Sequence, residues 1–388
     1  MDMQSKAKKL IEMIQTASVE WKPLGEVLVR TKGTKITAGQ MKEMHKDNAP
    51  LKIFAGGKTF ALVDFDDVPD KDIHREPSII VKSRGIIEFE YYDKPFSHKN
   101  EMWSYHSVNK HIYIKYVYYF LKTQESYFRN IGSKMQMPQI ATPDTDNYKI
   151  PIPSLEIQQR IVKILDKFTE LEATLEAELA LRKRQYRYYR DFLLDFDNQI
   201  GGGWIADGYK GRLKDVVWKT LGEVCHNISS GKNKKRDING IYPIYGSTGV
   251  IGKTNEKVYG KQHILVARVG ANAGFVHIGE GEYDVSDNTL IIDNKDNILF
   301  GYLFYVLKNM KLNQFARGAG QPLLTAGQLK SLKIPIPPLP EQEKITAILD
   351  KFDTLTNSIS EGLPHEIALR RKQYEYYREQ LLAFPKAA

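Results

Sequence analysis

The side chains best equipped for chemistry in this sequence are cations and amides set among glycines. Lys232, Lys234, Lys235 and Arg236 crowd into GKNKKRDING, Ser247 and Thr248 stand between Gly246 and Gly249, Arg268 and Asn272 flank Gly270, and Arg317 and Gln321 lie in a Gly-rich loop. An earlier stretch supplies Lys32, Lys35, Lys58, Lys82 and Arg84. Lys and Arg on loops neutralise backbone phosphates, whereas Arg toward guanine and Asn or Gln toward adenine read base edges in the major groove. These sets therefore point to duplex DNA rather than to bond-making.

The motifs that would make the chain an enzyme fail at particular residues. STGVIGKT, residues 247–254, has Ser247 where a phosphate loop needs glycine, and Gly246 comes one place too early. Pro69-Asp70 is not followed by Asp/Glu-x-Lys before residue 150, and no Asn/Asp-Pro-Pro-aromatic segment exists for amino-methyl transfer. His45, His74, His98, His106 and His111 form neither His-Glu-x-x-His nor His-x-x-x-His, so they read as surface or core singletons rather than metal ligands. The single cysteine, Cys225, excludes an internal disulfide framework and reads as a small buried residue in a reducing compartment. No catalytic residue and no metal site is expected.

Bulk numbers agree without deciding. A chain of 388 residues is long enough for two or more domains, and 56 Lys and Arg against 47 Asp and Glu give a formal charge of +9, which suits a polyanionic partner. The N-terminal residues break their apolar positions with Lys8, Lys9 and Glu12, and no apolar run nears the length of a membrane span. The expected location is the cytoplasm, with no membrane contact.

What must position these side chains is a unit that occurs twice. KIPIPSLEIQQRIVKILDKF begins at Lys149 and returns as KIPIPPLPEQEKITAILDKF from Lys333. LRKRQYRYYRDFLLDF from Leu181 returns as LRRKQYEYYREQLLAF from Leu369, four residues further apart, or about one helical turn. WKPLGEV from Trp21 and WKTLGEV from Trp218 open the two halves, and Tyr-x-Leu-Lys ends a helical segment in each middle. Two long copies imply pseudo-twofold symmetry within one chain, which suits a nearly symmetric target such as a duplex.

Between the openings and Ile-Pro-Ile-Pro, β-branched and aromatic runs punctuated by glycine predict strands and turns. The prolines of Ile-Pro-Ile-Pro are expected to end strand pairing and mark the exit from each module. The tails predict a coiled-coil seam through Ile161, Ile164, Phe168, Leu171, Leu175, Leu179, Tyr186 and Tyr189, and through Ile345, Ile348, Phe352, Leu355, Ile359, Tyr374 and Tyr377. Leu171, Leu175 and Leu179 form a local stutter. In the second tail the extra turn is expected to keep the stripe nearly in phase, with Gly362 and Pro364 breaking or kinking the helix.

These blocks, recurring in order over essentially the whole length, closely resemble those of the specificity subunit of type I restriction-modification enzymes. The resemblance implies an α+β fold: two mixed α/β target recognition domains separated by long helices forming an antiparallel coiled coil, with an internal pseudo-twofold repeat. Residues 1–20 would be an N-terminal helix, 21–150 the first recognition domain and 151–198 a central helical spacer. Residues 199–215 would be a Gly-rich linker, 216–334 the second recognition domain and 335–388 a distal helical spacer.

The resemblance further implies that each variable domain reads half of an asymmetric bipartite site in double-stranded DNA. The helices would set the spacing and dock two modification (methyltransferase) subunits, with restriction (translocase-endonuclease) subunits completing the complex. This chain would bind no cofactor; S-adenosylmethionine, ATP and Mg are expected on the partners. The opposing readings are an enzyme carrying its own nuclease or methyltransferase, which the motif failures count against, and a coiled-coil scaffold whose variable domains bind protein.

Overall fold

The computed structural model describes residues 3–132, 137–196, 215–318 and 320–385. The expected linker, apart from Asp215, lies outside them. Contacts divide the chain into two compact units, Met1–Leu175 with Ile367–Ala388, and Glu176–Glu366.

In the first unit β1 (Glu20–Pro23) pairs antiparallel with β9 (Lys149–Ile152), placing Trp21 opposite Pro151. The first proline of Ile-Pro-Ile-Pro therefore lies inside a strand, which corrects the expectation that it ends pairing, whereas the ladder does stop before Pro153. A two-stranded ladder is all edge, and an edge strand tolerates proline where the missing N–H would face outward. The strands β2 (Val29–Lys32), β5 (Ser78–Lys82), β6 (Glu88–Tyr92) and β8 (Trp103–His106) form a sheet of order β2-β8-β5-β6. A second sheet, of order β4-β3-β7, uses β3 (Leu51–Phe54), β4 (Phe60–Val63) and β7 (Phe96–His98). SIIVK in β5 is buried along its whole length, which is why it reads as a continuous β-branched run rather than an alternating one.

The second unit repeats this plan. β10 (Val217–Thr220) pairs with β18 (Lys333–Ile336), with Trp218 opposite Pro335. β11 (Cys225–Ser230), β14 (His263–Ala267), β15 (Val276–Gly279) and β17 (Thr289–Asn294) take the order β11-β17-β14-β15. β12 (Tyr242–Gly246), β13 (Gly249–Thr254) and β16 (Asp284–Val285) take the order β13-β12-β16. Strand for strand the two middles are one topology, although their sequences diverge.

The repeated residues hold each unit to its helices by matching contacts. Tyr116 on the helix Ile114–Thr123 donates its phenol proton to the Pro151 carbonyl at 2.9 Å, and Tyr302 on the helix Phe300–Asn309 donates to Pro335 at 2.9 Å. Tyr119 donates to Asp166 at 2.6 Å and Tyr305 to Asp350 at 2.7 Å. The carboxamides of Gln158 and Gln342 each accept a backbone N–H, from Tyr113 and Leu299, at 2.8 Å. Gln158 and Gln342 are fully buried, and such groups persist in a core only when their hydrogen bonds are made.

The helical tails exchange partners. The front of the long helix Leu155–Leu194 packs in the first unit against the helix Gly362–Leu381, with Phe168 against Tyr374 and Tyr377 and Glu172 bonded to Arg371 at 2.5 Å. Numbers rise on one helix as they fall on the other, so this pair is antiparallel. In the second unit Tyr186 and Tyr189 stack on Phe352 of the helix Leu339–Asn357. Each Ile-Leu-Asp-Lys-Phe block thus meets the Tyr-Tyr block of the other copy. The end of the chain joins the first unit, where Trp21 donates its indole N–H to the Pro385 carbonyl at 3.0 Å.

The second tail breaks where Gly362 and Pro364 led the sequence to expect it, but Ile359 leaves the stripe. One helix ends at Asn357 and the next begins at Gly362, whose φ of +75° suits only glycine there, because an added Cβ would press on the Thr354 carbonyl. The extra residues form the connection, and Ile359 within it is 87% exposed, so it is not part of a seam.

Candidate nucleic-acid interface

Three loops of the second unit meet at the turn of residues 286–288, between β16 and β17. The basic run is pinned there through Asn233, whose N–H donates to Val285 at 3.0 Å and whose carbonyl accepts from Asp287 at 3.3 Å. The Asn233 amide also donates to the Asp284 carboxylate at 2.6 Å. Lys232, Lys234, Lys235 and Arg236 are left exposed around this anchor. The tip of the β12–β13 hairpin arrives next, with Ser247 donating to the Asn288 carbonyl at 3.4 Å and Thr248 exposed beside it.

Arg268 is the third arrival. Its backbone N–H donates to the Asn288 carbonyl at 2.9 Å, and its half-buried guanidinium reaches the Asp287 carbonyl at 3.5 Å. Its own carbonyl accepts from Leu324, and Gly270 donates to Pro322, so the loop carrying Arg317 and Gln321 is drawn against the loop carrying Arg268 and Asn272. Asn272, Arg317 and Gln321 are exposed. The folded chain thus brings together side chains that lie up to 89 positions apart, Lys232 to Gln321.

The first unit builds the same junction at residues 99–101. Thr34 donates to the His98 carbonyl at 2.8 Å, Lys99 to Phe54 at 3.0 Å, Ile140 to Ser83 at 3.0 Å and Gly85 to Pro138 at 2.8 Å. Each bond has a counterpart in the second unit. Lys32 and Lys35 are exposed on either side of Thr34, Lys58 is exposed at the β3–β4 turn, and Arg84 is exposed with its Nε donating to Gln139 at 3.2 Å. Lys82 does not belong with them. Its side chain is 6% exposed and bonded to Glu88 at 2.7 Å and Glu90 at 2.8 Å, because β5 places it directly opposite Glu88 on β6. Burial works against its charge, but the two carboxylates outweigh this and hold its pKa above the usual lysine value.

Sequence reasoning missed Asn233, Lys99, Glu101 and Asn288, which make or occupy the junctions. The usable signal is positional: each junction turn stands just before the strand that leads to the Tyr-x-Leu-Lys helix.

The helical candidates distribute unevenly. Ile161, Ile164 and Phe168 are buried in the first unit, as are Tyr186 and Ile345 in the second and Tyr377 in the first. Leu171, Leu175, Leu179, Leu355 and Tyr374 are half-buried. Ile348 is exposed and Leu349 takes the inward position, while Tyr189 is exposed along one face with the other stacked on Phe352. No cluster suited to a metal ion exists among the described residues, and burial pushes the Cys225 thiol up to about 12, far from nucleophilic use. None of the described helices is long and apolar enough to cross a membrane.

Two copies of one strand plan each present a loop junction with exposed cations around it. The type I restriction modification DNA specificity domain matches residues 19–181 and again 214–369, and the chain belongs to that family. It is 34% identical to the type I restriction enzyme EcoR124I/EcoR124II specificity subunit of Escherichia coli, across 98% of both chains. It is 37% identical to the EcoprrI specificity subunit of the same organism, over 64% of this chain and 63% of that one. Among solved structures, the S subunit of a type I restriction-modification system from M. genitalium shares the fold at a TM-score of 0.65 and 18% identity, covering 96% of this chain and 98% of that one. The chain is accordingly a specificity subunit and not itself an enzyme.

Proposed function

We propose that each unit binds one half of an asymmetric bipartite site in double-stranded DNA, with the junctions at residues 99–101 and 286–288 turned toward the duplex. The observation that carries this is that one loop junction, with four matching backbone hydrogen bonds, is built twice in sequences that otherwise differ. A repeated scaffold with divergent loops is what two different half-sites require, since phosphate contacts position a protein and base contacts distinguish sequences. The helices set the separation of the half-sites and dock two modification subunits, and restriction subunits complete the assembly. S-adenosylmethionine, ATP and Mg act on those partners in the cytoplasm, and this chain holds none of them.

The test is exchange of residues 21–148 for the first middle of another family member, followed by mapping of methylated adenines in the host. One half-site should change and the other should stay. Change in both would refute the assignment of one unit to one half.

A further inference from the structure

The turn of residues 286–288 is more than a brace for the loops around it. Its backbone carries the bonds: the Asn288 carbonyl takes both Arg268 and Ser247, and its N–H donates to Ser286 at 3.1 Å. The Asn288 side chain is exposed, and its carboxamide makes no hydrogen bond among the described residues. It therefore stands at the centre of the basic run, the hairpin tip and the Arg268 loop with both a donor and an acceptor free.

The corresponding residue of the first unit is fixed by strand register. Val81 lies opposite Trp103 as Val266 lies opposite Leu290, and the carbonyls of Ser83 and Arg268 accept from Ile140 and Leu324. Ser83 donates its hydroxyl proton to the Glu101 carbonyl at 2.6 Å, where Arg268 donates to Asn288. Glu101 thus occupies the place of Asn288, and Lys99 holds its carboxylate at 2.7 Å.

We propose that this one position reads a base in each half-site, with Asn288 pairing to the N6 and N7 edge of an adenine and Glu101 accepting from the N4 amino group of a cytosine. A carboxamide offers the donor and acceptor that adenine's major-groove edge complements, whereas a carboxylate only accepts, which matches the cytosine amino group and not adenine's N7. The inference rests on the DNA-reading function proposed above and adds which residue reads which base.

The experiment selects from a pool of random duplexes with the full chain assembled with its modification subunits. Asn288→Ala should abolish adenine preference at one position of one half-site, a loss of about ten- to a hundredfold, while the other half-site is unaltered. Asn288→Asp, of the same shape but without the donor, should move that position from adenine toward cytosine, a gain that misfolding cannot mimic. Retention of the adenine preference in both variants would overturn the assignment. So would equal weakening on every sequence, which would make Asn288 a backbone or folding contact. A wild-type assembly that selects no sequence would instead overturn the DNA-reading function itself.

Discussion

The two units share every strand but differ in what polar groups they bury. The first buries the Lys82 ammonium between Glu88 and Glu90, and encloses His98 with its ring bonded to the Lys99 carbonyl at 3.1 Å. The second has Ala267 at the place of Lys82 and half-buries His277, whose ring nitrogens are shielded from solvent and find no partner among the described residues. His277 instead stacks with Tyr245 and with Phe275. The Tyr, Gln and Asp contacts to Ile-Pro-Ile-Pro and the helices are copied almost to the tenth of an ångström, whereas the interior beneath the loops is not. The frame that fixes geometry is the same in both units, and the interior beneath the loops differs.

The largest effect separating the units should come at the exchanged helix contacts. Phe168 is 2% exposed and Phe352 only half-buried, so Phe168→Ala should destabilise the first unit by about 3–5 kcal/mol and Phe352→Ala should cost the second less. Peptide-level hydrogen exchange reads the units separately. Equal losses would show that the two junctions are energetically the same. Tyr116→Phe and Tyr302→Phe test the copied frame, since each leaves a buried proline carbonyl unpaired, at a cost of about 1–2 kcal/mol. Matching losses are expected, and a twofold disparity in chemical denaturation would contradict the equivalence of the frames.

The smallest effect has the opposite sign. His277→Phe should keep the aromatic stack and remove an unpartnered buried imidazole, stabilising the second unit by about 1 kcal/mol, whereas His98→Phe should destabilise the first by breaking its hydrogen bonds. Burial lowers the pKa of both histidines to about 4, below the ordinary value of about 6.5. Their unfolded forms therefore bind protons first on acidification. The contribution of each is complete above pH of about 6.5 and is lost as pH falls toward about 4. For His277→Phe the fall in denaturation midpoint across that window should shrink in the second unit alone, with His263, also held low by burial, accounting for part of what remains.

The frame was legible because its residues recur: Trp-Lys-x-Leu-Gly-Glu-Val, Ile-Pro-Ile-Pro and the Tyr-Tyr blocks mark both units and their helices in the sequence itself. Their reciprocal pairing was not legible, since a seam pattern shows that Phe168 faces something but not that it faces Tyr377. Proline misled at Pro151 and Pro335, which an edge strand accepts, and not at Pro153 and Pro337, where the ladders stop. Lys82 misled because its distance from Glu88 is short only once the β5–β6 hairpin forms. The junction turns were invisible for a deeper reason. Their work is done by main-chain carbonyls and N–H groups, which every residue carries, so residues 99–101 and 286–288 share a role without sharing a side chain.

The exchange of helical blocks also sets an order of assembly during synthesis. The main apolar cluster of the second unit lies between Tyr186 and Phe352, so that cluster can close as soon as the helix Leu339–Asn357 leaves the ribosome. The first unit has Phe168 early and Tyr377, Leu381 and Phe384 at the far end of the chain. At about 5–20 residues per second, its nascent core waits roughly 10–40 seconds for those side chains. During that interval the Phe168 face is bare, and the half of the protein made first is the half finished last.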